Sequence, residues 1–504
     1  MRERRLSTAL TNELDQELQQ FLIREDGDED LLFGLWTPSK GEERLTALLH
    51  TPLYPNDGDR QRHGNVSFNP QFFERTCQEA MKARCGIAFL HSHPGPGWQG
   101  MSPDDIVAET RIAGASEALT ELPLLGMTVS NDGVWSARMW PHFHGKNFKR
   151  VWCESARSVG QRMRVSFTDA IIPKPRLREM FRRTVTVWGP ENHANLARLR
   201  IGIVGLGSVG CIAAETLARM GMERFVLIDF DEVQEHNLDR LLGATVDDIG
   251  TLKVAVAARQ IRRSSTANRC VVAEVPYSVA ESAGYTAALD CDVIFCCVDR
   301  PRARKILNHF AYAHLIPVID GGIDVRFGKN EEFAGVDWQI QTVAPTRPCL
   351  ECIGAFSMDD ASTEEAGMLD DPSYMRGLPA NHRFKRNENV FPFSANLASL
   401  EVLQFIELVT QAGGIGNFGI QRFRYNPGHL VYDVEKRCNE HCDINTLVAQ
   451  GDRYFHLRGR DHAAERARER QRGAPNRRRP RAGRFQPVRM ILRLLLARLL
   501  ALLE

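Results

Sequence analysis

Two histidines one residue apart close an apolar run: residues 86–90 read GIAFL and His91-Ser92-His93 follows. On an extended strand the side chains alternate with period two, so His91 and His93 project to one side and both imidazoles can meet one Zn²⁺ ion. A Gly/Pro-rich loop, PGPGWQGM, leads on to Ser102-Pro103-Asp104-Asp105 and folds back to bring the Asp105 carboxylate to the same ion. Three protein ligands leave a fourth position for water, the arrangement of a catalytic zinc rather than a closed structural one. Such a centre needs a nearby carboxylate as general base for the water, and the Ser102 hydroxyl is a candidate to hold the developing oxyanion.

A second group of residues suits a nucleotide. Gly205-Leu206-Gly207-Ser208-Val209-Gly210 follows the strand-like RIGIV and opens a helix. In that context Gly205, Gly207 and Gly210 let backbone N–H groups and a helix N-terminus receive phosphates. The pattern alone suits a nicotinamide-dinucleotide enzyme equally well, and Asp229, at the head of Asp229-Phe230-Asp231, can take ribose hydroxyls in either case. The residues downstream separate the two: Asn237-Leu238-Asp239-Arg240, then Lys253, then Asp299 at the end of DVIFCCVD. Hydride transfer needs no such cations. Attack of a carboxylate on an α-phosphate needs positive charge on the phosphates and a carboxylate to hold Mg²⁺. Two cysteine pairs, Cys349-Leu350-Glu351-Cys352 and Cys438-Asn439-Glu440-His441-Cys442, suit a closed, structural Zn(Cys)₄ site.

The elements that must position these groups divide the chain by texture. At 504 residues and 56.8 kDa it is too long for one core. Residues 1–155 mix strand-like runs with turn clusters and read as an α+β domain. Residues 156–199 are a connector, helical over 169–187, that leads into the next domain. Residues 200–450 begin as strand, Gly-rich turn, helix, strand and continue with CVVAEV, DVIFCCVD and IPVIDGG, short apolar runs of the kind a doubly wound, Rossmann-like α/β sheet buries on both faces. An irregular stretch over 355–392 precedes a helix over 394–409 with Ser394 as N-cap. Residues 451–504 read as a basic linker and an apolar terminal helix.

Composition excludes other classes. With 43% hydrophobic and 25% charged residues the chain is neither disordered nor a coiled coil. Its net charge of +1 hides thirteen Arg against four acidic residues over 459–504, which leaves the remainder about 8 negative and gives no global drive toward nucleic acid. The N-terminus lacks an apolar segment of secretory type, so a cytoplasmic location with reduced thiols is expected. The terminal MILRLLLARLLALLE, interrupted by Arg493 and Arg498, is too short to cross a membrane. Cys211, Cys291, Cys296 and Cys297 sit in segments that read as core.

Two family resemblances follow. Glu, His-x-His and Ser-x-x-Asp resemble the JAB/MPN (JAMM) metallopeptidase motif, although eight residues rather than seven separate His93 from Ser102, which keeps Asp104 beside Asp105 as an alternative ligand. The resemblance implies a general base just before an apolar strand; Glu29, ahead of DLLFGLW, takes that place, with Glu25 and Asp30 as competitors. The second set resembles the ThiF/MoeB/HesA and ubiquitin-activating superfamily, with its DxD, NLxR, Lys and VDx segments. That implies ATP and Mg²⁺, with Asp229 of the Asp229/Asp231 pair on the ribose, Asn237, Arg240 and Lys253 on the phosphates, and Asp299 on the metal. It further implies a homodimer in which Arg183, or its rival Arg182, serves the partner subunit's site, and a zinc at the cysteine pairs, whose second member here has one residue more than the usual CxxC. The joint implication is a chain that trims or deconjugates a ubiquitin-like protein and adenylates its C-terminal carboxylate. No Cys lies between Cys352 and Cys438, where ubiquitin-activating enzymes commonly carry their catalytic thiol, so the acyl adenylate is expected to pass to an external nucleophile. A conjugating enzyme or a sulfurtransferase would act next. The alternatives are sulfur-carrier activation in cofactor or amino-acid biosynthesis, and a binding module without turnover.

Overall fold

A computed structural model describes residues 4–473 apart from 64, 145–146, 329–331, 380–381, 383–384, 386–387, 412–417 and 455–459. The chain divides into two units, residues 1–462 and 463–504. Of the second, only residues 463–473 are described, which belong to a polar, Arg-rich helix, His462–Gly473. The expected apolar terminal helix lies outside the described residues. Among them no helix is long and apolar enough to cross a membrane.

The first half of the large unit begins with β1 (Arg5–Thr11), α1 (Asn12–Leu22), β2 (Leu31–Lys40), β3 (Arg44–Leu53), β4 (Arg60–His63) and β5 (Asn65–Phe68). It continues with α2 (Pro70–Ala83), β6 (Gly86–His93), α3 (Pro103–Thr120), β7 (Leu124–Ser130) and β8 (Trp135–Trp140). Five short strands close it: β9 (His142–His144), β10 (Asn147–Phe148), β11 (Val151–Trp152), β12 (Ser155–Val159) and β13 (Met163–Phe167). Nine of these form one mixed sheet in the order β11-β8-β7-β6-β2-β3-β1-β12-β13. Strands β2 and β6 lie at its centre. Leu31, Phe33, Ile87 and Phe89 share a core with Phe72 of α2 and Ile112 of α3, while Leu32, Ala88 and Leu90 share another with Leu14 and Leu18 of α1. Burial on both faces is why these strands read as continuous apolar runs instead of alternating ones. His91 and His93 continue the parity of Ile87 and Phe89, which puts them on the α3 side.

After β13 the backbone is irregular until a 3₁₀ turn, Glu179–Phe181, followed by α4 (Arg182–Trp188) and α5 (Pro190–Arg198). The helix expected from residue 169 is absent because Pro173 and Pro175 lack N–H donors and disfavour helical geometry in the residues before them. The α/β half runs β14 (Arg200–Val204), α6 (Ser208–Arg219), β15 (Arg224–Ile228), α7 (Lys253–Ser264), β16 (Val271–Val275), α8 (Ser282–Ala288), β17 (Val293–Cys296), α9 (Pro301–Ala313) and β18 (Val318–Phe327). Next come β19 (Phe333–Val343), α10 (Met358–Glu365), α11 (Pro372–Gly377), α12 (Phe391–Thr410), β20 (Ile420–Arg424) and β21 (His429–Asp433).

The second sheet has the order β16-β15-β14-β17-β18-β19-β20-β21; β16 to β18 run parallel and the strands beyond are antiparallel. The antiparallel half was not foreseen, and IPVIDGG proves to be only the start of the ten-residue β18. β16, expected to be buried on both faces, is an edge strand whose residues are exposed or half-buried. α12 begins at Phe391, three residues earlier than expected, with Val390 as N-cap and Pro392 in its first turn. Ser394 is fully buried inside that turn and bonded to Asn389, so it does not cap the helix.

One apolar cluster joins the halves: Ala9, Leu48, Val159, Met163 and Phe167 pack with Leu196, Ile203, Leu217, Phe225 and Phe295. Beside it runs a buried ionic seam. Arg44 Nη1 lies 2.6 Å from Asp292 Oδ1 and 3.5 Å from Glu154 Oε1, while Arg44 Nη2 donates to the Cys291 carbonyl at 2.6 Å. Arg157 Nη1 stands 3.5 Å from Asp292 Oδ1, Arg224 Nη1 3.3 Å from Glu154 Oε2, and the Arg200 N–H donates to Asp292 Oδ2 at 2.8 Å. Burial alone would raise the Asp292 pKa, yet Arg44, Arg157 and Arg224 together hold it well below the usual carboxylate range. Burial pushes Arg157 down to about 10.

Removing one partner of such a pair strands the other charge in the interior, which costs about 3–5 kcal/mol. Arg44→Met is therefore expected to lose about that much stability in urea unfolding at neutral pH. Because Asp292 is depressed in the folded state, the wild-type advantage is complete above about pH 4 and declines as the pH falls toward the folded value.

Candidate functional site

At the open end of β6 the two imidazoles stand together, His91 Nε2 to His93 Nε2 at 3.2 Å. The third group arrives from α3. Ser102 is the N-cap of that helix in a reciprocal capping box: its Oγ accepts from the Asp105 N–H at 3.1 Å, and its own N–H donates to Asp105 Oδ2 at 2.7 Å. The box turns the Asp105 carboxylate back toward the strand, with Oδ1 3.3 Å from His91 Nε2 and Oδ2 3.3 Å from His93 Nε2. Ligand atoms of His91, His93 and Asp105 all lie within 4.8 Å of one another. Two imidazoles and one carboxylate at that spacing fit a divalent ion such as zinc.

Strand pairing brings a fourth residue to the imidazoles. β2 is antiparallel to β6 with Leu31 opposite His91, so the chain just before β2 ends beside the imidazoles. Glu29 Oε1 is 3.9 Å from His93 Nε2. Of the competitors, Glu25 is exposed, and Asp30 is buried against Arg60, whose Nε lies 3.0 Å from Asp30 Oδ1. Asp104, the alternative to Asp105, faces solvent. Burial raises the Glu29 pKa and lowers that of His91. The Asp105 hydrogen bond raises His93, while both imidazoles outweigh burial and hold Asp105 far below the usual carboxylate range. Sequence reasoning passed over Thr128 of β7, Glu109 of α3 and Arg138 of β8, a bonded group that reaches His91 through the Thr128 hydroxyl. The available signal was Glu109, one helical turn beyond Asp105 on an otherwise mixed helix.

The second centre lies where β14, β15 and β17 end. Gly205 has φ +90°, and a Cβ there would stand 2.4 Å from the Cys297 carbonyl oxygen, so only glycine makes this turn. Gly207 is the N-cap of α6, and Gly210 sits in its first turn against the Gly205 carbonyl. Asp229 braces the loop: Oδ2 accepts from the Leu206 N–H at 2.6 Å and Oδ1 from the Asp231 N–H at 2.8 Å. Lys253 opens α7 with Nζ 2.9 Å from Asp231 Oδ2. Burial disfavours its ammonium, but Asp229 and Asp231 outweigh burial and keep its pKa above the ordinary value. Burial raises the Asp229 pKa.

Asn237 Oδ1 accepts from the Gln234 N–H at 3.0 Å and shapes a turn. The Ser208 hydroxyl donates to the Arg240 carbonyl at 2.9 Å, which ties that turn to the start of α6, and Arg240 Nη1 reaches Asp239 at 2.8 Å. Asp299 is exposed just beyond β17. Arg183 is exposed on α4, and Arg182 pairs with Glu179 at 3.1 Å.

The third cluster joins Cys349, Cys352, Cys438 and Cys442, whose sulfurs lie within 4.8 Å of one another. Cys438 Sγ accepts from the Cys349 N–H at 3.2 Å, and Cys352 Sγ from the Asn439 N–H at 3.3 Å. Such N–H bonds favour thiolates, and four converging thiolates fit a tetrahedral zinc ion. Elsewhere burial makes thiols inert: Cys211 and Cys291 are pushed up to about 12, and Cys296 and Cys297 well above the usual thiol value.

Comparison with known families settles the second half, since the ThiF family model matches residues 181–437, half of the chain. The chain belongs to the ThiF family. Relatives of this ThiF chain include the tRNA threonylcarbamoyladenosine dehydratase of Escherichia coli (strain K12), 32% identical over 150 residues that make up 29% of this chain and 54% of that protein. The SAMP-activating enzyme E1 of Haloferax volcanii is 30% identical over 165 residues, 33% of this chain and 57% of that one. The molybdopterin-synthase adenylyltransferase of Escherichia coli (strain K12) is 29% identical over 171 residues, 34% and 65% respectively. The ThiF chain thus spans between half and two thirds of the length of these relatives. If the four thiols of the ThiF half hold zinc, Cys438→Ser will lower the zinc content, measured by atomic emission, by one ion per chain and reduce the thermal midpoint.

Proposed function

We propose that this chain uses ATP and Mg²⁺ to adenylate the C-terminal carboxylate of a ubiquitin-like protein, and that its His/His/Asp centre is a zinc metallo(iso)peptidase of JAB/MPN type that trims or deconjugates such proteins. The observation that carries the first half is Lys253, half-buried beside Asp229 and Asp231 next to a glycine loop at a helix N-terminus. In the reaction a carboxylate oxygen attacks the α-phosphorus, the bond to the bridging oxygen breaks, and pyrophosphate leaves. The loop N–H groups and the α6 N-terminus receive phosphate oxygens, while Lys253 and Arg240 neutralise charge that builds as pyrophosphate departs. Asn237 shapes the turn that presents Arg240. Asp229 retains free lone pairs for ribose hydroxyls while its other contacts fix the loop. Mg²⁺, held by Asp299, would supply further neutralisation of the phosphates.

Two of the three relatives are named as an activating enzyme and an adenylyltransferase, which supports this reading. A relative named as the sulfur carrier protein ThiS adenylyltransferase of Bacillus subtilis (strain 168), 27% identical over 183 residues, supports a variant in which the substrate is a sulfur carrier for cofactor or amino-acid biosynthesis. Since the thiols outside the zinc cluster are buried or raised in pKa, the acyl adenylate passes to an external nucleophile, brought by a conjugating enzyme or a sulfurtransferase. A cytoplasmic homodimer, with Arg183 of the partner subunit reaching the phosphates, belongs to the same reading.

At the other centre, zinc held by His91, His93 and Asp105 would supply an activated water. Glu29, beside His93, would be placed to take a proton from water and pass it to the leaving amine. Ser102 holds Asp105 in place through the capping box and keeps its hydroxyl hydrogen for the substrate oxygen.

Pyrophosphate exchange with candidate ubiquitin-fold proteins tests the proposal. Exchange is expected only in their presence and to fall by about 10²–10³-fold in Lys253→Ala, in line with the loss of one transition-state donor. Carrier-independent exchange, or an unaltered rate in Lys253→Ala, contradicts it. Cleavage of a ubiquitin-fold protein extended at its C-terminus, followed by intact mass, is expected to stop in His93→Ala.

A further inference from the structure

Strand alternation puts Ser92, between the two imidazoles, and Asp30, next after Glu29, on the face opposite the candidate ligands. These two residues bond each other in both directions. The Ser92 N–H donates to the Asp30 carbonyl at 3.0 Å, and the Asp30 N–H donates to Ser92 Oγ at 2.9 Å. The hydroxyl stands in for a backbone acceptor and extends the pairing of β2 with β6 one residue past Leu31 and His91. On the other side of Glu29 the chain comes off an exposed turn, residues 25–27, with the Asp28 N–H bonded to Asp26 Oδ1 at 3.1 Å. Asp30 is thus the point at which the candidate base is joined to the strand that carries the imidazoles.

The side chain of Asp30 is held as firmly as its backbone. Its carboxylate is 1% exposed and accepts from the Leu31 N–H at 2.8 Å. Two cations face it: Arg60 Nε stands 3.0 Å from Oδ1 and Arg24 Nη1 3.7 Å from Oδ2. The Arg60 guanidinium also lies 5.0 Å from the centre of the Phe21 ring of α1. Arg60 belongs to β4, which forms with β5 a two-stranded sheet of its own. Opposite Arg60 on β5 is Phe68, whose ring packs against Phe33 of β2 at 5.1 Å and Phe89 of β6 at 5.5 Å. The hairpin is thereby seated on the two central strands, and from that seat it delivers a cation to the residue after Glu29.

A buried ion pair contributes little net stability over an apolar replacement, so its place here calls for another reason. Geometry supplies one. Glu29 Oε1 stands 3.9 Å from His93 Nε2, and a proton-transfer group has to be within hydrogen-bond reach of the water it serves. Displacing a reacting group by about 1 Å costs up to about 10²-fold in rate. With an exposed turn on one side, the position of Glu29 depends on how rigidly Asp30 is fixed on the other.

We propose that Asp30 and Arg60 are positioning residues for Glu29: their ion pair, together with the Ser92 bonds, fixes the chain from which Glu29 reaches the water beside His93. The β4–β5 hairpin is then a working part of the metal centre. The inference rests on the peptidase reading of this centre. It is tested on the full chain by two measurements, hydrogen exchange over residues 28–32 followed by mass spectrometry, and cleavage of a ubiquitin-fold protein extended at its C-terminus. Arg60→Met, and Asp30→Asn, which keeps an acceptor for the Leu31 N–H, are each expected to speed that exchange and to lower kcat by about 10-fold with KM and zinc content unchanged. Arg60→Lys should restore both. The double variant Asp30→Asn/Arg60→Met strands no charge and gives the same reading where a single variant folds poorly. Wild-type exchange and kcat in these variants, a change in one without the other, or loss of zinc overturns the positioning role while leaving the peptidase standing. A wild-type chain that cleaves no extended ubiquitin-fold protein overturns the peptidase reading and the positioning role together.

Discussion

Asp292 is the residue on which the two halves of this protein turn. A carboxylate with 1% exposure has to be paired, and its partners come from both sheets: Arg44 and Arg157 from the first, the Arg200 N–H from the second. The requirement that buried charge be neutralised therefore fixes how the halves meet, more specifically than the apolar cluster alongside it. Each chemical centre lies one strand away from the seam. β2 runs from the imidazoles at Leu31 to the turn whose Glu43 and Arg44 N–H groups bond Asp290, about ten residues at roughly 3.3 Å each. β17 runs from Asp292 to the carbonyls beneath Gly205. Both centres are thus tied to a common base, each by a largely buried strand of its sheet.

The glycine loop and the His-x-His pair were legible in the sequence because their chemistry is local. A strand sets the direction of His91 and His93, and a strand-to-helix turn needs Gly205 whatever surrounds it. Choices that depend on distant pairing were not legible. Glu29, Glu25 and Asp30 are equivalent as letters; antiparallel pairing of β2 with β6 puts Glu29 at the imidazoles, while Arg60 takes Asp30. Asp104 and Asp105 were separated by the capping box, whose geometry admits a carboxylate only at the third helical position. Thr128, Glu109 and Arg138 come from β7, α3 and β8, and only the sheet register and the packing of α3 against it make neighbours of them. The antiparallel half of the second sheet was missed for a related reason: the runs that form β19 to β21 carry no turn signature that tells reversal from continuation. Ser394 misled because a favourable capping residue can equally be buried inside a first turn when a proline starts the helix earlier.

In the ThiF half, burial raises the pKa of the thiols beside the glycine loop, Cys296 and Cys297, and the loop itself offers charge and backbone geometry suited to phosphates. The N-terminal centre is the complement, with two imidazoles and two carboxylates and no cation within the ligand set. On the proposed reading one centre would release a carboxylate from a peptide bond and the other would activate a carboxylate, so the product of the first would have the chemistry of the substrate of the second.

That relation is tested most directly by pyrophosphate exchange with a ubiquitin-fold protein carrying extra residues beyond its mature C-terminus. With the wild-type chain the extended protein should support exchange after a lag, and with His93→Ala it should support none, while the mature protein supports exchange at full rate with both. Exchange with the extended protein in His93→Ala would contradict a coupling of the two centres through one carboxylate.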